Sequence, residues 1–178
     1  MAIEAISLKR LVRALITRVG KVRGKPFDFQ NFDDRLIVQK IAYLLVKAGI
    51  IKGLPFNYYL RGPYSPDLLR SLEDTAEYGA LNEKEVSEMR GAEVSLSGED
   101  EERFQRVMAL LKKHDWNSEW LELFTSALFF AELEPDPRNP NWKRVEHVLA
   151  FKKNVKKDLA QEIVREVQDC IKKSLFAL

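Results

Sequence analysis

Two histidines, one cysteine and a short run of carboxylates are the side chains with obvious chemical potential in this chain of 178 residues. His114 and His147 would be metal ligands or proton shuttles if further ligands stood at the right spacing, but neither has a cysteine or histidine at a zinc-binding interval. Glu132, Glu134 and Asp136 could offer oxygens to a hard cation, yet ELEPDPRNPN lacks the regular oxygen ligands and the sharp-turn glycine of a calcium loop. Cys170 has no histidine beside it and no helix start to lower its pKa, so it reads as a small core residue. Ser65 stands in Gly-Pro-Tyr-Ser-Pro, which is not the glycine-flanked turn of a nucleophile elbow, and it reads as a helix cap. The glycines are scattered singly, so neither a phosphate-binding loop nor a dinucleotide fingerprint is present. The expectation is therefore a non-enzymatic protein with no catalytic residues, no cofactor and no metal.

The elements that would position these residues follow from periodicity. Leu8, Leu11, Val12, Leu15, Ile16 and Val19 mark a first helix from about Ala5 to Val19, followed by a glycine-rich loop, GKVRGKPFDF. A second helix starts near Asp33 and ends at Gly49; its interior, RLIVQKIAYLLVKA, is apolar on most of its circumference and predicts a central helix contacted from several sides. Gln39 and Tyr43 on it are expected to be polar groups satisfied inside the packing. Phe56 to Leu60 suits a strand, and Arg61 to Asp67 a constrained turn. There Ser65 caps a helix with Pro66 at its first position, ending at Gly79. A second strand over Ala92 to Ser97 precedes a helix capped by Ser97 and running through His114. Helical segments from Asn117, around Trp142 to Phe151, and from Val155 to about Phe176 complete the chain. The predicted class is mainly α with a small β-sheet (α+β), built as a single domain over 1–178. Helix, strand, helix and strand between Asp33 and Ser97 suggest a winged-helix-like element.

A net charge of +2 conceals segregation. Lys9, Arg10, Arg13, Arg18, Lys21, Arg23 and Lys25 fall between Leu8 and Pro26 with no acid among them, whereas Glu73 to Glu102 holds eleven acids against Lys84 and Arg90. Lys9, Arg10 and Arg13, with Lys152 and Lys153 late in the chain, are the candidate phosphate contacts. No apolar run approaches the ~20 residues needed to span a bilayer, and the amino terminus lacks a secretory layout. One cysteine rules out an internal disulfide framework, so the expected location is cytoplasmic and no membrane partner is expected.

The segments RLIVQKIAYLL and FNYYLRGPYSPDLLRSLEDT resemble the shared core of the prokaryotic YwgA-like proteins and the broader SocA-like, or Panacea, antitoxin domain family. The resemblance lies in a Gln-Lys-x-x-Tyr helix (Gln39, Lys40, Tyr43), an aromatic strand and a Gly-Pro turn (Gly62, Pro63, Tyr64, Ser65). WLELFTSALFF and VEHVLAFKK match more loosely, and Asn154 follows Lys153 where relatives often have a Lys-Pro turn. The similarity implies a core over about 33–133 flanked by a basic amino-terminal helix and a carboxy-terminal helical extension. It also implies a protein-interaction role, in some members that of an antitoxin that binds a toxin or delivers it to a protease. It brings no catalytic residues. Arg61, Gly62, Pro63, Tyr64 and Ser65 are its candidate partner contacts. The alternative is a nucleic-acid-binding regulator, against which the helix from Ser65 carries Asp67, Glu73, Asp74 and Glu77 with Arg70 alone. A homo-oligomer is compatible with either.

Overall fold

The computed structural model describes residues 2–77 and 95–178. Among them are seven helices and one two-stranded antiparallel sheet: α1 (Ala2–Arg23), α2 (Phe32–Lys47), β1 (Asn57–Tyr59), β2 (Gly62–Tyr64), α3 (Pro66–Glu77), α4 (Gly98–Lys113), α5 (Ser118–Glu132), α6 (Trp142–Lys153) and α7 (Lys157–Lys172). The class is mainly helical with a small sheet. The buried residues form one core cluster that draws on all seven helices.

Local chemistry explains most boundaries. Asn31 starts α2 by accepting from the amides of Asp33 and Asp34, Ser97 starts α4 through Asp100, and Asn117 starts α5 through Trp120. Beyond α2, Gly49 takes φ +78°, a left-handed conformation that suits a residue without Cβ. Ser65 Oγ accepts from the amide of Leu68, and Pro66 occupies the first position of α3. Asn154 ends α6 with φ 50° and ψ 44°, one of the few non-glycine residues that tolerate this region.

Several boundaries differ from the sequence expectation. α1 runs through Gly20 to Arg23 because the chain then folds back on it: a Cβ on Gly20 would stand 3.3 Å from the Cα of Pro26, and the Lys25 amide donates to Gly20 O. α7 stops at Lys172, after which Ser174 turns left-handed and Leu175 and Phe176 tuck into the core. Gly62 and Pro63, expected in a turn, form a strand; β1 and β2 are joined by Leu60 and Arg61 with Tyr58 opposite Pro63. Pro63 has no amide hydrogen, which confines it to a short sheet of this kind. Between Asp33 and Glu77 the order is thus helix, hairpin, helix. The expected stop at Gly79 and residues 92–94 of the expected second strand lie outside the described residues, and Ser95 to Ser97 pair with no strand among the described residues.

α5 lies at the centre, packed by α2, α6, α7 and β2. Its residues from Leu123 to Ala131 are all buried, including Thr125 and Ser126. Thr125 returns its hydroxyl proton to Leu121 O. α1 closes the other side of α2 and meets α3 and α4.

Candidate functional site

The Gly-Pro hairpin is held from beneath by three helices. On α2, Gln39 forms a two-way bond with the backbone of Ser65: its Nε2 donates to Ser65 O at 3.0 Å and the Ser65 amide donates to its Oε1 at 2.9 Å. One residue on, Lys40 donates from Nζ to Pro63 O at 2.8 Å. From α6, Lys153 donates to Leu60 O at 3.0 Å and to Glu122 of α5 at 2.8 Å, its ammonium also lying 5.4 Å from the ring centre of Tyr58. Gly62 rests directly on this base. Its φ is +92°, and a Cβ there would lie 2.9 Å from Ser126 Oγ and 3.3 Å from Lys40 Nζ.

The electrostatics of this base are unusual for a structural lysine. Lys40 is 3% exposed. Burial lowers its pKa from 10.5 to about 8; Glu122 works upward on it, and the nearby charges of Lys153 and Arg61 work downward. Tyr43, one turn further along α2, donates to Glu132 at 3.2 Å, and burial followed by that carboxylate pushes its phenol well upward. Lys47 pairs with the other oxygen of Glu132. Tyr58 Oη and Ser126 Oγ are buried without a hydrogen-bond partner among the described residues.

Above the base, the hairpin tip is open. Leu60 is 94% exposed, Tyr59 51% and Phe32, at the start of α2, 56%. Arg61 and Arg35 lie 5.7 and 6.0 Å from the ring centre of Phe32, and Tyr59 meets Tyr64 edge to face at 5.0 Å. Phe32 and the two guanidinium groups thus form one group and Tyr59 with Tyr64 another, with exposed Leu60 between Tyr59 and Arg61 in the chain, while Arg35 also donates to Phe29 O.

This geometry divides the five residues expected to contact a partner. Arg61 is exposed and Tyr64 half-buried, but Gly62, Pro63 and Ser65 are buried and serve the fold, since α2 and α5 occupy the sides they would present. The phosphate candidates divide as well. Arg10 and Lys152 are exposed and Lys9 half-buried, while Arg13 donates to Ser71 O and ties α1 to α3. Lys153 is the clearest correction: with 5% of its side chain exposed and its ammonium on Leu60 O and Glu122, it is an internal tether rather than a phosphate contact. Arg18 grips Glu101 of α4 through both terminal nitrogens, so it too is spent on the fold.

The other chemical residues do not converge. His114 stacks on Trp120 at 3.8 Å and meets Glu166 at 2.7 Å, where Lys113 and Trp120 also donate. His147 is exposed on α6. Burial, then Glu166, pushes the Cys170 thiol up to about 11, away from thiolate chemistry. Glu132, Glu134 and Asp136 each face a different partner: Tyr43 and Lys47, the Asn141 amide, and the Arg138 amide. Among the described residues no group of three or more His, Cys, Asp or Glu could hold a metal ion, and no helix is long and apolar enough to cross a membrane.

Sequence reasoning missed Phe32, Tyr59 and Leu60 as surface, and Glu122 and Ser126 as hairpin supports. The signal for Lys40 was present, a cation beside Gln39 inside a mostly apolar stretch of α2, but its target lies 23 residues away. The chain matches no family model, no curated protein and no solved structure.

Proposed function

We propose that this chain is a non-enzymatic, cytoplasmic protein-interaction module, of antitoxin or proteolytic-adaptor type, that docks through the hairpin tip. The observation carrying this reading is the nearly complete exposure of Leu60 at the apex of a hairpin whose base is locked by Gln39, Lys40 and Lys153. A leucine held out on a rigid mount keeps its apolar surface in water in the free protein, and covering it releases that cost without ordering the backbone again. The surrounding Phe32, Tyr59, Arg35 and Arg61 have the aromatic and arginine composition of interface centres. Its partner is accordingly a folded protein with an apolar recess for Leu60 and carboxylates at the rim facing the two arginines. The resemblance to the SocA-like proteins supports a toxin as that partner.

The nucleic-acid reading has weaker support. Arg13, Arg18 and Lys153, three cations it would draw on, are committed to contacts within the fold.

Affinity capture with tagged wild type, Leu60→Asp, Tyr59→Ala and the distant surface variant Lys52→Asp tests the proposal. A protein captured stoichiometrically by wild type and Lys52→Asp, and about tenfold or more weaker on the two tip variants with unchanged melting, is the expected result. Equal capture by all four proteins would remove the tip as the docking surface.

A further inference from the structure

Beside the tip, residues of α2, the hairpin turn and the first turn of α5 enclose a cavity of about 30 Å³ lined by Leu36, Ile37, Lys40, Arg61, Ser118, Glu119 and Glu122. A volume of about 10–15 Å³ holds one water-sized atom, so this space takes two oxygens on one carbon and little more. Lys40 and Ile37 are the buried residues in that wall, and Lys40 is the charged one. It spends a hydrogen on Pro63 O, and an ammonium carries three. Arg61 is the outer cation, at the mouth and on the tip surface.

We propose that this cavity is a carboxylate notch, receiving an aspartate or glutamate side chain of the docking protein between Lys40 and Arg61 while Leu60 enters that protein's recess. The inference rests on the interaction reading and names the chemistry of one partner group. Two acids in the wall must be answered. Glu122 is already neutralised by Lys153 at 2.8 Å, and Glu119 is exposed at the mouth, where it remains hydrated. The wall holds two cations, Lys40 and Arg61, and two carboxylates, and once Glu122 is set against Lys153 outside the wall the two cations stand opposite Glu119 alone. Ser118 and Glu119 also open α5, and first-turn amides have no acceptor within a helix. Asn117 already takes the Trp120 amide, so the helix start adds to the field and is not itself the site. An incoming carboxylate would add to the pull of Glu122 and offset the like charges of Lys153 and Arg61 on Lys40. The leucine and isoleucine of α2 exclude water around it, which strengthens such a bond.

Formate, the smallest carboxylate, is the probe. Titration of the free protein at constant ionic strength, with chloride as the control anion, is followed by nuclear magnetic resonance of the lysine Cε and arginine Nε groups. Saturable shifts at Lys40 and Arg61 that chloride does not produce are expected, together with a rise in the apparent pKa of Lys40. Arg61→Gln should weaken formate binding about tenfold through loss of a charge-assisted bond. Shifts that are linear in formate, or identical with chloride, would overturn the notch. Because this measurement needs no partner, it separates the two ideas: saturable formate binding with tip-independent capture removes only the docking surface, and tip-dependent capture without formate binding removes only the notch.

Discussion

Lys40 shows what one buried charge does to the behaviour of the whole chain. Its amine titrates near 10.5 when unfolded and near 8 when folded, which sets on the order of 3 kcal/mol against the charged form in the native state. Below pH 8 both states hold the proton, and this handicap is present in full. Between the two values the unfolded chain holds more protons than the folded one, so stability from this group rises with pH and levels off above 10.5. Urea unfolding of wild type and Lys40→Met across pH 7 to 10 should show the difference moving in favour of wild type by about 2 kcal/mol. A constant difference across that range would mean that Lys40 keeps its ordinary affinity for protons. The residue was visible in the chain as a cation in an apolar helix, and its resemblance motif includes it. Its role was not visible, because whether a lysine in such a helix snorkels to water or is enclosed depends on which backbone arrives above it.

At the level of elements, the hairpin is the part least readable from local pattern. Three-residue strands carry almost no periodicity, and a proline ordinarily argues against a strand. The helices were readable because caps and apolar spacing are local: Asn31, Ser97 and Asn117 each satisfy amides within three residues of themselves. The exposed tip was hidden by the same lack of period, since Phe56 to Leu60 reads as an apolar run whether its last residue faces in or out. The hairpin also makes a sharp steric prediction. Gly62→Ala should destabilise the protein by about 2–4 kcal/mol, the sum of a left-handed backbone at φ +92° and a Cβ pressed onto Ser126 Oγ. Adding Ser126→Ala removes that oxygen and should return part of the loss, leaving the backbone cost of about 1 kcal/mol or more. Thermal unfolding of both single variants and the pair measures this. Strictly additive effects would show that the close approach is not the source.

At the scale of the molecule, the core is closed by the segment after α7 folding back onto α5 and the end of α2. Phe176 sits edge to face on Phe124 at 6.0 Å and is buried, and the next residue's amide donates to Lys47 O at the end of α2. Phe176→Ala should therefore cost about 3–5 kcal/mol, in the range of core phenylalanine truncations rather than of frayed termini. Chemical denaturation would give the value, and a loss below 1 kcal/mol would show that the segment is not part of the cooperative unit. The expected helix to Phe176 could not anticipate this, because the apolar spacing of Ile171 and Leu175 is compatible both with a continuing helix and with a turn that buries the same side chains.

The tether of Lys153 to the carbonyl of Leu60 has a consequence for timing. A ribosome makes the apex almost a hundred residues before it makes the ammonium that steadies it. Until then Gln39 and Lys40 hold the base of the hairpin, and the carbonyl of Leu60 lacks its ammonium partner. The last support of the hairpin is thus added long after the hairpin itself has been made.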